Sequence, residues 1–385
     1  MTSDPSTIVA HDDDFPSGAV VPPIFQTSLF TFGSYQELED AMAGRSRRPI
    51  YSRGDNPTVQ IFEAKVAALE GAAAARAFAS GMAAISAAVL SNLRAGERMV
   101  CVRHCYPDAW RLFTSILPRF DIQVDFVDGH DAPAVERALP GARVLYLESP
   151  TSVVFETQDL PRLGAAARAE GAVSIVDNSW ASPIFQRPLE HGVDLVVHSA
   201  SKYLGGHSDV VAGVVCGRRE LIERIDAGVF PLLGGKLAPF EGWLLVRGLR
   251  TLPLRMRRHH ESALAIAKRL LGHPRVVRVC HPLLGDPGPG VATLAGASGL
   301  LSFELDGDQA AIRAFCDALR LFKLGVSWGG HESLAFPVAA GLAQQGANPL
   351  AVFGVSPAII RLHVGLEDRD DLWSDLAQAL DRTSD

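Results

Sequence analysis

The chain contains no run of about 20 uninterrupted apolar residues, so no membrane-spanning helix is expected. Its first residues, Met1 to Pro5, carry neither a basic region nor an apolar core, which argues against a secretory signal. Cysteine is scarce: five in 385 residues, odd in number and scattered, which excludes a disulfide framework. Cys101 and Cys105 are spaced C-x-x-x-C, but no second pair completes a zinc site, so no metal is expected. With Cys216, Cys280 and Cys316 they read as reduced thiols in a cytoplasmic protein. There is no basic excess; the net charge of -7 argues against nucleic acid or an anionic membrane as partner. Internal repeats and low-complexity tracts are absent, apart from a richness in alanine.

What is present is length and alternation. A chain of 385 residues allows about two to three domains. Residues 1 to about 20, with Asp12-Asp13-Asp14, read as a polar arm, and turn formers dominate from there to Thr58. Thr58 is placed to cap a helix through Leu69, stopped by Gly71. Met82 to Leu93 reads as an Ala-rich buried helix. Short apolar runs then follow at Met99–Val102, Val124–Val127, Val144–Leu147, Val173–Val176, Leu195–Val197 and Val210–Val215. Such runs, separated by helical segments, predict an α/β fold with a mainly parallel sheet covered on both faces. After Gly234-Gly235, Leu244 to about Leu271 reads as one long or broken helix. A loop at Gly285–Gly290 precedes a smaller α/β unit. That unit holds strands at Leu300–Leu305 and Ile359–Val364 and helices at Asp308–Leu319 and Asp370–Leu380.

The segment from Asp194 to Asp209, DLVVHSASKYLGGHSD, carries the most chemistry. Lys202 follows a buried-type strand and precedes a glycine pair. Burial makes an ammonium costly and favours the neutral amine, which can form a Schiff base with an aldehyde cofactor. Ser199 and Ser201 flank it as possible phosphate ligands, which suggests pyridoxal phosphate (PLP). Two other readings stay open on this segment: a solvated loop lysine, and the Ser-x-x-Lys pattern of PLP-free acyl-transfer enzymes, here Ser199 to Lys202. The second lacks its partner elements, since no K-T-G occurs and Ser208-Asp209 is followed by Val210.

A PLP enzyme also needs an acid for the pyridinium nitrogen, a phosphate cup and a group against the ring. Ser80-Gly81 opens a helix whose free N–H groups would face an anion. Asp177 ends an apolar strand, where open α/β sheets bind ligands. Tyr106, just after another strand, is a candidate for the ring. Each residue alone also fits an ordinary cap or loop role; the order in which they stand is what gives them weight.

The chain resembles the Cys/Met-metabolism PLP enzymes, the cystathionine γ-synthase/β-lyase group of fold-type I, from about Gly18 to Asp371. The matching motifs are YSRGDNPT (51–58), SGMAA (80–84), ESP (148–150), VDN (176–178), HSASKY (198–203), GHSD (206–209), RG (247–248) and RLHVGLED (361–368). The resemblance implies a PLP-binding domain over 58–245, a C-terminal domain over 246–385, and an arm over 1–57 that contributes to a neighbouring subunit's site. It makes Lys202 the Schiff-base lysine, Asp177 the pyridinium partner, and Tyr106 a stacking and catalytic residue. It adds Gly81, Met82, Ser199 and Ser201 as phosphate ligands, the last replacing a usual Thr. Tyr51 and Arg53 would reach across a subunit interface to the neighbouring phosphate. That implies a homo-oligomer, commonly a tetramer, with an amino acid as its small-molecule partner. Arg361 would hold the substrate carboxylate, with Ser327 and Trp328 beside it.

Two departures fall on the leaving-group side of the pocket. Ser152-Val153 stand where many members have Asn-Pro, and Tyr106-Pro-Asp-Ala109 where many have Tyr-Gly-Gly-Thr. Several γ-acting members carry an acidic residue where this chain has Val326, and the stretch SWGGHES (327–333) resembles bacterial cystathionine β-lyase. On these features the expected reaction is β-elimination, such as cystathionine to homocysteine, pyruvate and ammonia. The alternative is γ-lyase, γ-synthase or O-acylhomoserine sulfhydrylase chemistry.

Overall fold

The computed structural model describes residues 4–12, 15, 18–285, 288–343 and 347–382. Asp13 and Asp14 of the acidic run, and Asp286 and Pro287 of the loop, lie outside the described residues. Seven strands form the larger sheet: β1 Ala74–Phe78, β2 Arg98–Val102, β3 Gln123–Val127, β4 Val144–Glu148, β5 Val173–Asp177, β6 Leu195–His198 and β7 Gly213–Gly217. Their order is β1-β7-β6-β5-β4-β2-β3. The block from β6 to β3 is parallel, and β7 alone runs against both of its neighbours. Because β7 opposes both β1 and β6, β1 points the same way as the parallel block.

Alternation within these strands feeds two cores. On β4, Val144 and Tyr146 join one cluster with the helix Gly81–Leu90, while Leu145 and Leu147 join another with the helix Leu160–Ala169. All four are fully buried, and each apolar side chain so buried stabilises by about 1.5–3 kcal/mol. This is the two-faced packing that near-continuous apolar strands require.

The C-terminal sheet has strands β8 Val276–Cys280, β9 Leu300–Leu305, β10 Lys323–Leu324, β11 Leu334–Pro337 and β12 Ile359–His363, in the order β10-β11-β12-β9-β8. It is antiparallel except for the β10–β11 pair. The expected long helix is broken into Pro239–Leu249 and Leu252–Leu271. Among the described residues, no helix is long and apolar enough to cross a membrane.

Two local expectations are corrected. The helix Pro57–Glu70 is capped by Asn56, whose side chain accepts from Thr58 N, with Pro57 preset in the first turn. Thr58 instead donates its hydroxyl to Pro23 O and accepts from Phe25 N, tying the N-terminal segment down. The strand expected from Val210 begins at Gly213, because Ser201 holds both backbone groups of Ala212.

Candidate active site

The site residues gather at the carboxyl ends of the parallel strands, where open α/β sheets bind ligands. Asp177 is the last residue of β5 and Glu148 the last of β4, directly paired in register. Lys202 follows β6, Tyr106 follows β2, and Ser80-Gly81 follows β1.

Lys202 is half-buried, and its Nζ donates to Ser327 Oγ at 2.7 Å. The same nitrogen lies 5.4 Å from the centre of the Trp328 ring. Burial, aided by the nearby Arg361 charge and opposed by Asp177, lowers its pKa to about 8. A far larger fraction of the amine is therefore neutral near physiological pH than for an ordinary lysine, and the neutral form is the nucleophile. Gly329, at φ +89, lets the loop close on this lysine: a Cβ there would sit 2.8 Å from Lys202 Cα. His363 Nε2 accepts from Gly329 N at 3.1 Å and fixes that approach.

Arg361 is 9 % exposed on β12 and has no carboxylate partner among the described residues. Its guanidinium donates to the carbonyls of Val326 at 2.7 Å and Ser327 at 3.3 Å, and stacks on Phe336 at 5.0 Å. Burial lowers its pKa to about 10. A buried cation is stabilised by an anion, and a guanidinium fork suits a carboxylate.

The residues fit PLP at three points. First, Gly81 and Met82 open a ten-residue helix, and their N–H groups make no hydrogen bond among the described residues. Ser80 Oγ is spent on Ala83 N, so the two free donors face outward as an anion site. A Cβ on Gly81 would lie 3.0 Å from Ser199 Cβ and Oγ, so only glycine leaves this floor open. Second, the Asp177 carboxyl is buried and pushed above its usual range by that burial, with Ser179 N at 2.9 Å as a hydrogen-bond donor and no cation in salt-bridge contact among the described residues. A pyridinium N–H would supply that cation. Third, the depressed amine of Lys202 suits an aldehyde. The Ser201 hydroxyl lies within hydrogen-bond distance of Ala212 N at 2.9 Å and Ala212 O at 3.1 Å, on the residue next to Lys202.

Tyr106 is 42 % exposed. Its backbone N–H donates to Glu148 Oε2 at 2.7 Å, and its hydroxyl donates to Asp108 Oδ2 at 2.9 Å. Tyr51 and Arg53 stand apart from the cluster. Arg53 lies 5.5 Å over the Tyr51 ring, both are exposed, and Arg53 has no ion-pair partner among the described residues.

Glu148, Glu70 and His198 were not singled out by residue-level reasoning. Glu148 had a readable signal, since it ends an apolar strand just as Asp177 does. Glu70 lies in a helix remote in sequence, and only the fold brings it 2.6 Å from His198 Nε2, behind the Asp177 loop.

The family model for the Cys/Met metabolism PLP-dependent enzyme matches residues 6–381. An L-methionine gamma-lyase from Pseudomonas putida is 39% identical, over 96% of this chain and 94% of its own. A cystathionine gamma-synthase from Escherichia coli (strain K12) is 38% identical, over 98% of this chain and 97% of its own. Among solved structures, cystathionine gamma synthase from Xanthomonas oryzae pv. oryzae, in complex with aminoacrylate and cysteine, superposes with a TM-score of 0.92. It is 36% identical and is matched over 100% of this chain and 99% of its own. These relatives are named for γ chemistry, so the expected β-elimination is not supported, and its γ-acting alternative fits better.

Proposed function

Because the chain belongs to the Cys/Met metabolism PLP-dependent enzyme family, we propose that it acts at the γ-carbon of a sulfur amino acid or an O-acylated homoserine, as a γ-lyase or γ-synthase. The observation that carries the amino-acid reading is Arg361, a buried guanidinium without a carboxylate, in the loop cluster that holds Lys202. The γ-carbon preference rests on the relatives' names.

The geometry supports the following assignments. Arg361 binds the substrate carboxylate, with Ser327 and Trp328 lining the same wall. Bound PLP supplies an electron sink for charge developed at Cα. Lys202 Nζ, in the neutral form that its lowered pKa makes accessible, takes the proton from Cα, and Ser327 Oγ steers the amine when it is free. Gly81, Met82, Ser199 and Ser201 would hold the phosphate, with Ser80 shaping the helix start. Asp177 would keep the ring nitrogen protonated. Tyr106 would stand on the ring side of the pocket, with its phenol available as a proton donor.

The active unit is at least a dimer, with Tyr51 and Arg53 completing the phosphate site of a second copy. Their exposure, and the exposed apolar residues Val20, Leu29 and Met42 on the same segment, support this. A tetramer of such dimers, a division at about residues 57 and 245, and a cytoplasmic setting complete the reading.

The test is a product assay across cystathionine, methionine and O-acylhomoserines, with and without an added thiol. The expected keto acid is 2-oxobutyrate, or a thioether product when a thiol is supplied. Pyruvate from cystathionine would overturn γ-action and restore the β reading drawn from Val326 and Trp328.

A further inference from the structure

We propose that Asp108 is a positioning residue that orients the Tyr106 hydroxyl and holds it in its protonated, phenol form. The geometry rests on a short helix, Pro107–Arg111, that begins directly after Tyr106. Asp108 Oδ2 accepts the Tyr106 hydroxyl at 2.9 Å, while Asp108 Oδ1 is gripped by Arg111. The ring is thus fixed at both ends, since Glu148 Oε2 holds its backbone N–H at 2.7 Å. An ionised carboxylate has acceptors only, so this contact exists only while the phenol keeps its proton.

The charged groups around the phenol point the same way. Burial and the Asp108 carboxylate raise the Tyr106 pKa well above its usual value, and Asp177 adds to the effect. Arg111 opposes it from the same helix, and Arg361 lies near enough on β12 to feel the phenol. Glu148, on β4, is itself protonation-prone through burial beside Asp177. Of these groups Asp108 alone touches the hydroxyl. It lies in the stretch Tyr106-Pro-Asp-Ala109, two residues after the tyrosine it holds. Any consequence for turnover rests on the reading of Tyr106 as a reacting group under the proposed function.

The experiment is a spectrophotometric titration of tyrosine ionisation in the cofactor-loaded protein, with Tyr106→Phe as the reference that isolates Tyr106 among the five tyrosines. Asp108→Asn and Asp108→Ala are expected to lower the Tyr106 midpoint by about 1–2 pH units, the size of a removed adjacent charge. An unchanged midpoint in both variants would overturn the proposal. The pH profile of kcat separates the two readings. An alkaline limb that falls by the same shift ties the phenol to turnover. A limb that stays while the midpoint moves leaves Asp108's role standing and removes Tyr106 from the reacting groups.

Discussion

Arg76 is half-buried and Arg361 buried, and their surroundings are opposite. Arg76, on β1, is clasped by Asp226 at 2.6 and 2.7 Å, by Asp55 at 3.0 Å, and lies 3.6 Å from Glu63. Those acids push its pKa up. Arg361 has only carbonyls and a phenylalanine ring, and its pKa falls to about 10. The first is charge-satisfied and joins four segments of the fold: β1, the helices Pro57–Glu70 and Arg219–Ala227, and the 51–55 turn. The second has no anion partner among the described residues. Arg53 is a third case, exposed and without an ion-pair partner among the described residues, as the proposed shared site requires.

Lys202 stands beside Arg361, and its removal is the largest break available. Lys202→Ala is expected to cut kcat/KM by about 10³-fold or more, the upper range for a lost proton-transfer group. The long-wavelength absorbance of cofactor joined to the lysine should vanish with it; a variant that stays yellow and active would show that another amine does the work. Next comes the satisfied arginine. Arg76→Met leaves three carboxylates without their cation and should destabilise the fold by about 3 kcal/mol, read as a lower denaturant midpoint at unchanged m-value.

Arg53→Ala should weaken PLP binding by about 10- to 100-fold, as one charged hydrogen-bonding group is lost. Mixing Arg53→Ala subunits with Lys202→Ala subunits should restore activity, since a hybrid dimer regains one intact site. No rescue on mixing would place Arg53 outside a shared site. The smallest effect concerns pH. Arg361 helps to depress the Lys202 pKa to about 8, so Arg361→Met should move the pH midpoint for trapping PLP on the apoprotein with borohydride upward, toward the ordinary lysine value. A midpoint that falls would contradict the charge coupling.

Much of this was legible in the sequence because it follows from strand ends. Apolar runs marked β2 to β6, and Asp177, Lys202 and Tyr106 were found by standing just after them. Strand β1 was not, because Ala-Ala-Arg-Ala-Phe has no β-branched residue and its burial comes from neighbours distant in sequence. Residue type places Thr58 at a cap. Type does not say which nearby backbone group captures a hydroxyl, and here Pro23 does. The Asp108–Tyr106 contact needed the helix turn at Pro107 to bring two neighbouring side chains together. Arg361 was recognised as an arginine in an apolar strand; that it lacks an anion is a property of the assembled fold.

The most direct test compares an unreactive amino acid with the amine that lacks its carboxylate, by the affinity of each for the cofactor-loaded wild type and Arg361→Met. The wild type should prefer the amino acid, and the variant should lose about 30-fold or more of that preference, the lower end for a desolvated charge pair. Its thermal midpoint should stay level or rise, because an unpaired buried cation has been removed. An undiminished preference for the carboxylate in Arg361→Met would contradict the account.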